Sequence, residues 1–140
     1  MAKGTMNHLA LTVADLAKSE AAFYAPVLGF LGYEKVEDIP GAMTLWFNAD
    51  AKFAINLWQA RPEVAARAHH RYAPGFHHCA FDVDSRGDVD GLHKLLQKND
   101  IKVLDAPAEY PQYAPGYYAV YFEDADGLKF EVVHMPEFPT

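Results

Sequence analysis

The chain has 140 residues, 51% hydrophobic and 22% charged, the composition of a globular protein built as one domain or two small fused repeats. Its formal charge of −7 argues against a nucleic-acid or anionic-membrane partner and is compatible with a cationic metal. A lone cysteine, Cys79, excludes an intrachain disulfide and a cysteine metal site, and without an apolar leader or a membrane-length run the expectation is a cytoplasmic protein.

In chain order, His8-Leu9-Ala10-Leu11-Thr12-Val13 alternates and predicts a strand. Asp15 is a plausible N-cap for a helix from Leu16 to about Leu28, whose apolar stripe (Leu16, Phe23, Tyr24, Val27) is interrupted by Glu20. Pro26 should bend that helix and Gly29 should stop it. Strand-like runs follow at Leu31–Val36, Met43–Phe47 and Phe53–Trp58. Residues 60–76 read as a connector, with a short helix possible over Pro62–His70. The plan then repeats. A strand at His78–Val83 leads to a helix near Val89–Asn99 capped by Ser85 or Asp88. A strand at Ile101–Leu104 comes next, and then a Pro- and Tyr-rich loop over Pro107–Pro115. Strands at Tyr117–Phe122 and Leu128–His134 close a hairpin on Asp126-Gly127. The expected fold is α+β, with one strand–helix–three-strand module over 6–59 and a second over 77–135. Neither half has enough core to be comfortable alone, so pairing within or between chains is expected.

The two halves share a pattern of His, any residue, Ala, large apolar residue, any residue, Val: His8 to Val13 and His78 to Val83. Alternation puts each histidine on the polar face of its strand beside a small alanine. On the last strand Glu131 points away from Phe130 and Val132, and Asn56 takes the matching place in the first half. If first and last strands of each half are neighbours, His8, Asn56, His78 and Glu131 can converge. Two imidazoles and a carboxylate form an open site for Fe(II), Mn(II), Zn(II), Ni(II) or Co(II). A strand histidine taken alone is more often a hydrogen-bonded structural residue, and the repeated register is what raises the metal reading. An apolar-flanked carboxylate such as Glu131 needs a partner, either a bound cation or a basic side chain.

Four stretches carry a resemblance across nearly the whole chain: His8 to Leu16; Phe23-Tyr24 with Leu28-Gly29-Phe30; His78-Cys79-Ala80-Phe81; and Phe122 to Glu131. Together they resemble the vicinal oxygen chelate superfamily, the glyoxalase, bleomycin-resistance and dioxygenase proteins. The resemblance implies two βαβββ modules forming a cupped mixed or antiparallel sheet, and a frequent homodimer. It implies a metal held by His8, His78 and Glu131, and a substrate that chelates it through two neighbouring oxygens. Asn56 stands where glyoxalase I-like members place Glu or Gln, making it a fourth ligand or a donor acting through water. The triad matches fosfomycin thiol transferases and extradiol dioxygenases, and Tyr121 holds the place of the latter's tyrosine before the glutamate. Lyase, ring-cleaving dioxygenase and thiol transferase all stay open. In this reading Glu131 and Tyr121 are the catalytic candidates, and Trp46, Trp58, Tyr110 and Tyr118 are candidates for the small-molecule pocket. The alternative is a non-catalytic protein of the bleomycin-resistance type that binds a drug or aromatic ligand in the same cup.

Overall fold

The computed structural model describes residues 3–136 and divides the chain into two compact units, Met1–Arg67 and Ala68–Thr140. Each unit holds one four-stranded mixed sheet.

In the first unit β1 (His8–Val13) runs parallel to β4 (Phe53–Gln59), and β3 (Met43–Asn48) and β2 (Glu34–Ile39) complete the order β1-β4-β3-β2. Asp15 caps the intervening helix by accepting from the Lys18 amide at 3.1 Å. That helix comes in three parts: α1 (Leu16–Ser19), a wide π turn over Glu20–Tyr24, and α2 (Ala25–Phe30). The π turn lies immediately before Pro26, which has no amide proton to give the carbonyl one turn back. Gly29 does not stop the helix. The chain leaves it at Leu31 and Gly32, whose φ of +88° is the left-handed value glycine tolerates. Glu20, the break in the apolar stripe, accepts from the Trp46 indole at 3.1 Å and pairs with Lys35 at 2.7 Å. Strand β2 starts three residues later than Leu31, carries a register shift between Lys35 and Glu37, and is exposed throughout.

The second unit repeats the plan as β5 (His78–Asp82), α3 (Arg86–Lys98), β6 (Lys102–Glu109), β7 (Tyr118–Glu123) and β8 (Lys129–His134), in the order β5-β8-β7-β6. Ser85 caps α3 by accepting from the Asp88 amide. Val89, Leu92 and Leu96 of α3 are fully buried, as are Val120, Phe122 and Val132 on the sheet. Strand β6 extends to Glu109, through Pro107. As an edge strand with register shifts it tolerates a residue lacking an amide donor. The Tyr-rich loop is correspondingly shorter, spanning 110–117. The expected helix at Pro62–His70 is a series of turns, with the Val64 amide on the Arg61 carbonyl and the Arg67 amide on that of Val64. Among the described residues no helix is long and apolar enough to cross a membrane.

The registers of the two sheets correspond. Ala10 lies opposite Asn56 in the first, and Ala80 lies opposite Glu131 in the second. The repeat is therefore one of hydrogen-bonding register as well as of element order.

Candidate functional site

The second unit brings Lys129, Glu131, His78 and Tyr121 together on the sheet face away from α3. Alternation along β8 sends Lys129, Glu131 and Val133 to that face, while Phe130 and Val132 face the helix. The parallel register seats His78 beside Lys129, and the antiparallel register seats Tyr121 beside Glu131. Glu131 is 2% exposed and accepts a hydrogen bond on Oε2 from the phenol of Tyr117. Its Oε1 faces His78 Nε2 at 3.3 Å. His78 Nδ1 lies 2.6 Å from His77 Nδ1, so one ring donates and the other accepts. When His78 donates, its Nε2 lone pair is left aimed at the carboxylate.

These groups share a cavity of about 440 Å³ whose aromatic wall is Tyr110, Tyr113, Tyr117 and Tyr121. The Tyr110 and Tyr113 rings stack at 5.6 Å, and Tyr110 meets Tyr121 edge-on at 5.5 Å. Lys129 Nζ sits 4.7 Å from the centre of the Tyr121 ring, and Asp105 lines the same cavity. Burial first, and then the adjacent Glu131 carboxylate, hold the Tyr117 and Tyr121 phenols well above the usual tyrosine range. Both are therefore protonated donors at neutral pH. Tyr110 is raised too, by burial and then by Asp105. His77 is pushed below the usual histidine value first by desolvation and then by its neighbours His78, Lys129 and Arg71. Cys79, on the other face, has its thiol pushed up to about 11 by burial, which makes it unreactive at neutral pH.

The donor atoms can be tested against a metal. Two ligands about 2.0–2.2 Å from one divalent ion, at angles of roughly 90–110°, lie about 3–3.5 Å apart. The 3.3 Å between His78 Nε2 and Glu131 Oε1 falls in that interval. Tyr117 occupies the other carboxylate oxygen and orients the first. His78 and Glu131 thus fit as two ligands of a divalent ion. Among the described residues no cluster of three His, Cys, Asp or Glu side chains is close enough to hold one.

The remaining candidates are placed as follows. His8 is exposed, and its Nδ1 lies 2.8 Å from the Asn7 amide oxygen, which leaves Nε2 outward when Nδ1 donates. Asn56 is buried and held within its own sheet, donating to the Thr44 carbonyl at 2.9 Å and accepting from the Trp58 indole. Trp58 shares the face of Asn56 and is 44% exposed. Trp46 lies on the opposite face, bonded to Glu20 of the helix, because β3 alternates and register pairs it with Ile55. Tyr118 does not line the cavity with Tyr110. Its hydroxyl donates to Asp90 of α3 at 2.6 Å and its ring lies under Arg86, because it shares the face of Val120 and Phe122. Arg71 of the connector is engaged with Glu123.

Sequence reading missed three roles here. Tyr117, expected at the start of the strand Tyr117–Phe122, carries no site role in the sequence, although it shares parity with Tyr121 and so reaches Glu131. Lys129 shares parity with Glu131. His77 has the wrong parity to join His78 in a strand, but β5 begins at His78, so alternation does not govern it.

The model of the Glyoxalase/Bleomycin resistance protein/Dioxygenase superfamily matches residues 5–132. An uncharacterised protein of Bacillus subtilis, YqjT, is 30% identical over 128 residues, covering 91% of this chain and 97% of that protein. A crystal structure of a candidate glyoxalase from Bacillus halodurans is 28% identical with a TM-score of 0.80, over 95% of this chain and 97% of that one. At 18% identity and a TM-score of 0.67, the fold is shared with a mutant of the fosfomycin resistance protein FosX from Listeria monocytogenes. That structure covers 94% of this chain and 90% of its own, and holds Mn(II) and a dihydroxypropylphosphonic acid. With the two βαβββ sheets and the match from residue 5 to 132, the chain belongs to the glyoxalase/bleomycin resistance protein/dioxygenase superfamily.

Proposed function

We propose that this protein is a divalent-metal-dependent enzyme acting on a small oxygen-rich molecule that binds the metal through two neighbouring oxygens. The observation that carries the reading is the buried Glu131 carboxylate. One of its oxygens is fixed by Tyr117, and the other is presented to His78 Nε2 at 3.3 Å within a tyrosine-lined cavity. A buried anion facing an imidazole is costly unless a cation or a proton lies between them.

In this proposal His78 and Glu131 are ligands, and His8 is a third, taken from the repeated strand register. Asn56 has its amide satisfied by Thr44 and Trp58, which favours a part played through water over direct ligation. A divalent ion, when bound, supplies Lewis acidity toward the substrate oxygens. The rest is done by side chains. Tyr117 holds Glu131 in orientation, and Tyr121, kept protonated, offers a proton or a hydrogen bond to a developing oxyanion. Tyr110 and Tyr113 present ring faces to the organic part of the substrate. Lyase, dioxygenase and thiol-transferase chemistry are all compatible with this set. A homodimer in the cytoplasm belongs to the same proposal, and light scattering after size exclusion tests the dimer.

The test is metal analysis of protein purified without an affinity tag, beside the His78→Ala variant. Stoichiometric metal in the parent and its loss in the variant is the expected result. Equal metal in both overturns the assignment.

A second reading draws on the four tyrosines: the cavity sequesters an aromatic ligand without turnover. Ligand binding indifferent to chelator, with no metal in the parent, favours it.

A further inference from the structure

Lys129 is the cationic side chain in this cavity that the proposed chemistry leaves unused. Among the described residues no carboxylate pairs with it: Arg71 and Lys102 are both committed to Glu123, and Arg86 to Glu109. No other lysine or arginine of the described residues lines the cavity. Its position is set by the fold. Parity with Glu131 sends it to the open face, register seats it beside His78, and the Tyr121 ring lies 4.7 Å from Nζ. An ammonium resting on an aromatic face keeps its N–H donors free for a ligand. The volume of about 440 Å³ suits a small molecule with one ring.

We propose that Lys129 is the specificity-determining residue of this cavity, selecting a small aryl acid whose ring lies among the tyrosines and whose single carboxylate is taken by the ammonium. The proposal rests on reading the cavity as the substrate site. A monoanion is favoured over a dianionic phosphate or phosphonate, because one ammonium matches one charge while Asp105 and Glu131 in the same wall repel a second.

The experiment measures binding of benzoate, benzamide, benzylamine and phenylphosphonate by ligand-observed NMR. The proteins are the wild type, Lys129→Gln and Lys129→Arg, each chelator-treated and then loaded with Mn(II). In the chelator-treated wild type, benzoate should bind about tenfold more tightly than benzamide and more tightly than phenylphosphonate. Lys129→Gln should remove the preference and Lys129→Arg should keep most of it. Equal binding of benzoate and benzamide, a preference for benzylamine or phenylphosphonate, an unchanged preference in Lys129→Gln, or no binding of any probe overturns the proposal. The Mn(II) arm separates it from the metal reading. A benzoate preference that appears only with Mn(II) and survives Lys129→Gln belongs to the metal and removes Lys129 from the role. A Lys129-dependent preference in a protein that retains no Mn(II) removes the metal reading and leaves this one standing.

Discussion

Tyr117 donates a hydrogen bond to Glu131, so a carboxylate that is 2% exposed is anchored on one oxygen while the other faces His78 Nε2 at 3.3 Å. The two residues lie on adjacent parts of the chain's last hairpin, and the bond makes the loop before β7 a support for the candidate ligand. Removing the hydroxyl in Tyr117→Phe strands a buried acceptor. The expected loss is about 1–3 kcal/mol of stability in urea unfolding. Mn(II) affinity should weaken roughly 10–100-fold, as for other groups that orient a ligand. Unchanged Mn(II) affinity would separate Tyr117 from the site.

Replacing the carboxylate itself has a different signature. Glu131→Gln keeps the shape and removes a buried charge, so stability should change by no more than about 1 kcal/mol. Bound metal should fall to background. A variant that keeps full metal, measured by elemental analysis, would show that Glu131 is only structural.

The raised phenols make a prediction in the alkaline range. Tyr117 and Tyr121 have native values above the unfolded phenol's, about 10. The native state therefore holds its phenolic protons longer than the unfolded chain does. Their contribution is complete below about pH 10 and is lost as pH rises above it. Urea midpoints should be flat from about pH 7 to 9 and fall above 10, and Tyr121→Phe should reduce the slope of that fall.

Glu123 acts in the opposite direction. Burial works to raise its value, but hydrogen bonds from Lys102 and Arg71 outweigh it and the net shift is downward. Its stabilisation is therefore present above the unfolded carboxylate value, about 4.3, and is lost as pH falls through the native one. Glu123→Gln should cost roughly 1–3 kcal/mol near neutral pH, mostly through the partly buried Arg71. The gap between variant and wild type should close as pH drops below about 4.

Core packing behind the site is tested at Phe130, whose ring stacks on Phe81 at 6.2 Å and Phe122 at 6.1 Å. Phe130→Ala should cost about 3–5 kcal/mol by the lost transfer and the cavity left behind. Because Phe130 precedes Glu131, metal affinity should fall with it. A smaller loss in the denaturation midpoint would mean that Phe76 and Phe81 close over the gap.

Much of this was legible in the chain before any coordinates. Alternation in His78 to Val83 and in Lys129 to Val133 is a local steric property, so face assignments along those strands could be read directly, and the repeat told which strands correspond. The cap Asp15 was equally readable, because a cap acts within three residues of itself, whereas the structure chose Ser85 over Asp88 for α3. The same parity excludes Tyr118 from the face of Tyr121 and puts Tyr117 on it.

Other features could not be read locally. The π turn before Pro26, the extension of β6 through Pro107, and the meeting of Trp46 with Glu20 depend on what lies across the sheet or over the helix. The same holds for Lys129 on the Tyr121 ring and for His77 against His78, where the chain has not yet entered its strand. Sequence determined which way each strand residue points, because that follows from backbone geometry one residue at a time. Tertiary structure decided which side chains meet, because a hydrogen bond or a cavity wall is made by residues brought together through packing, whatever their separation along the chain.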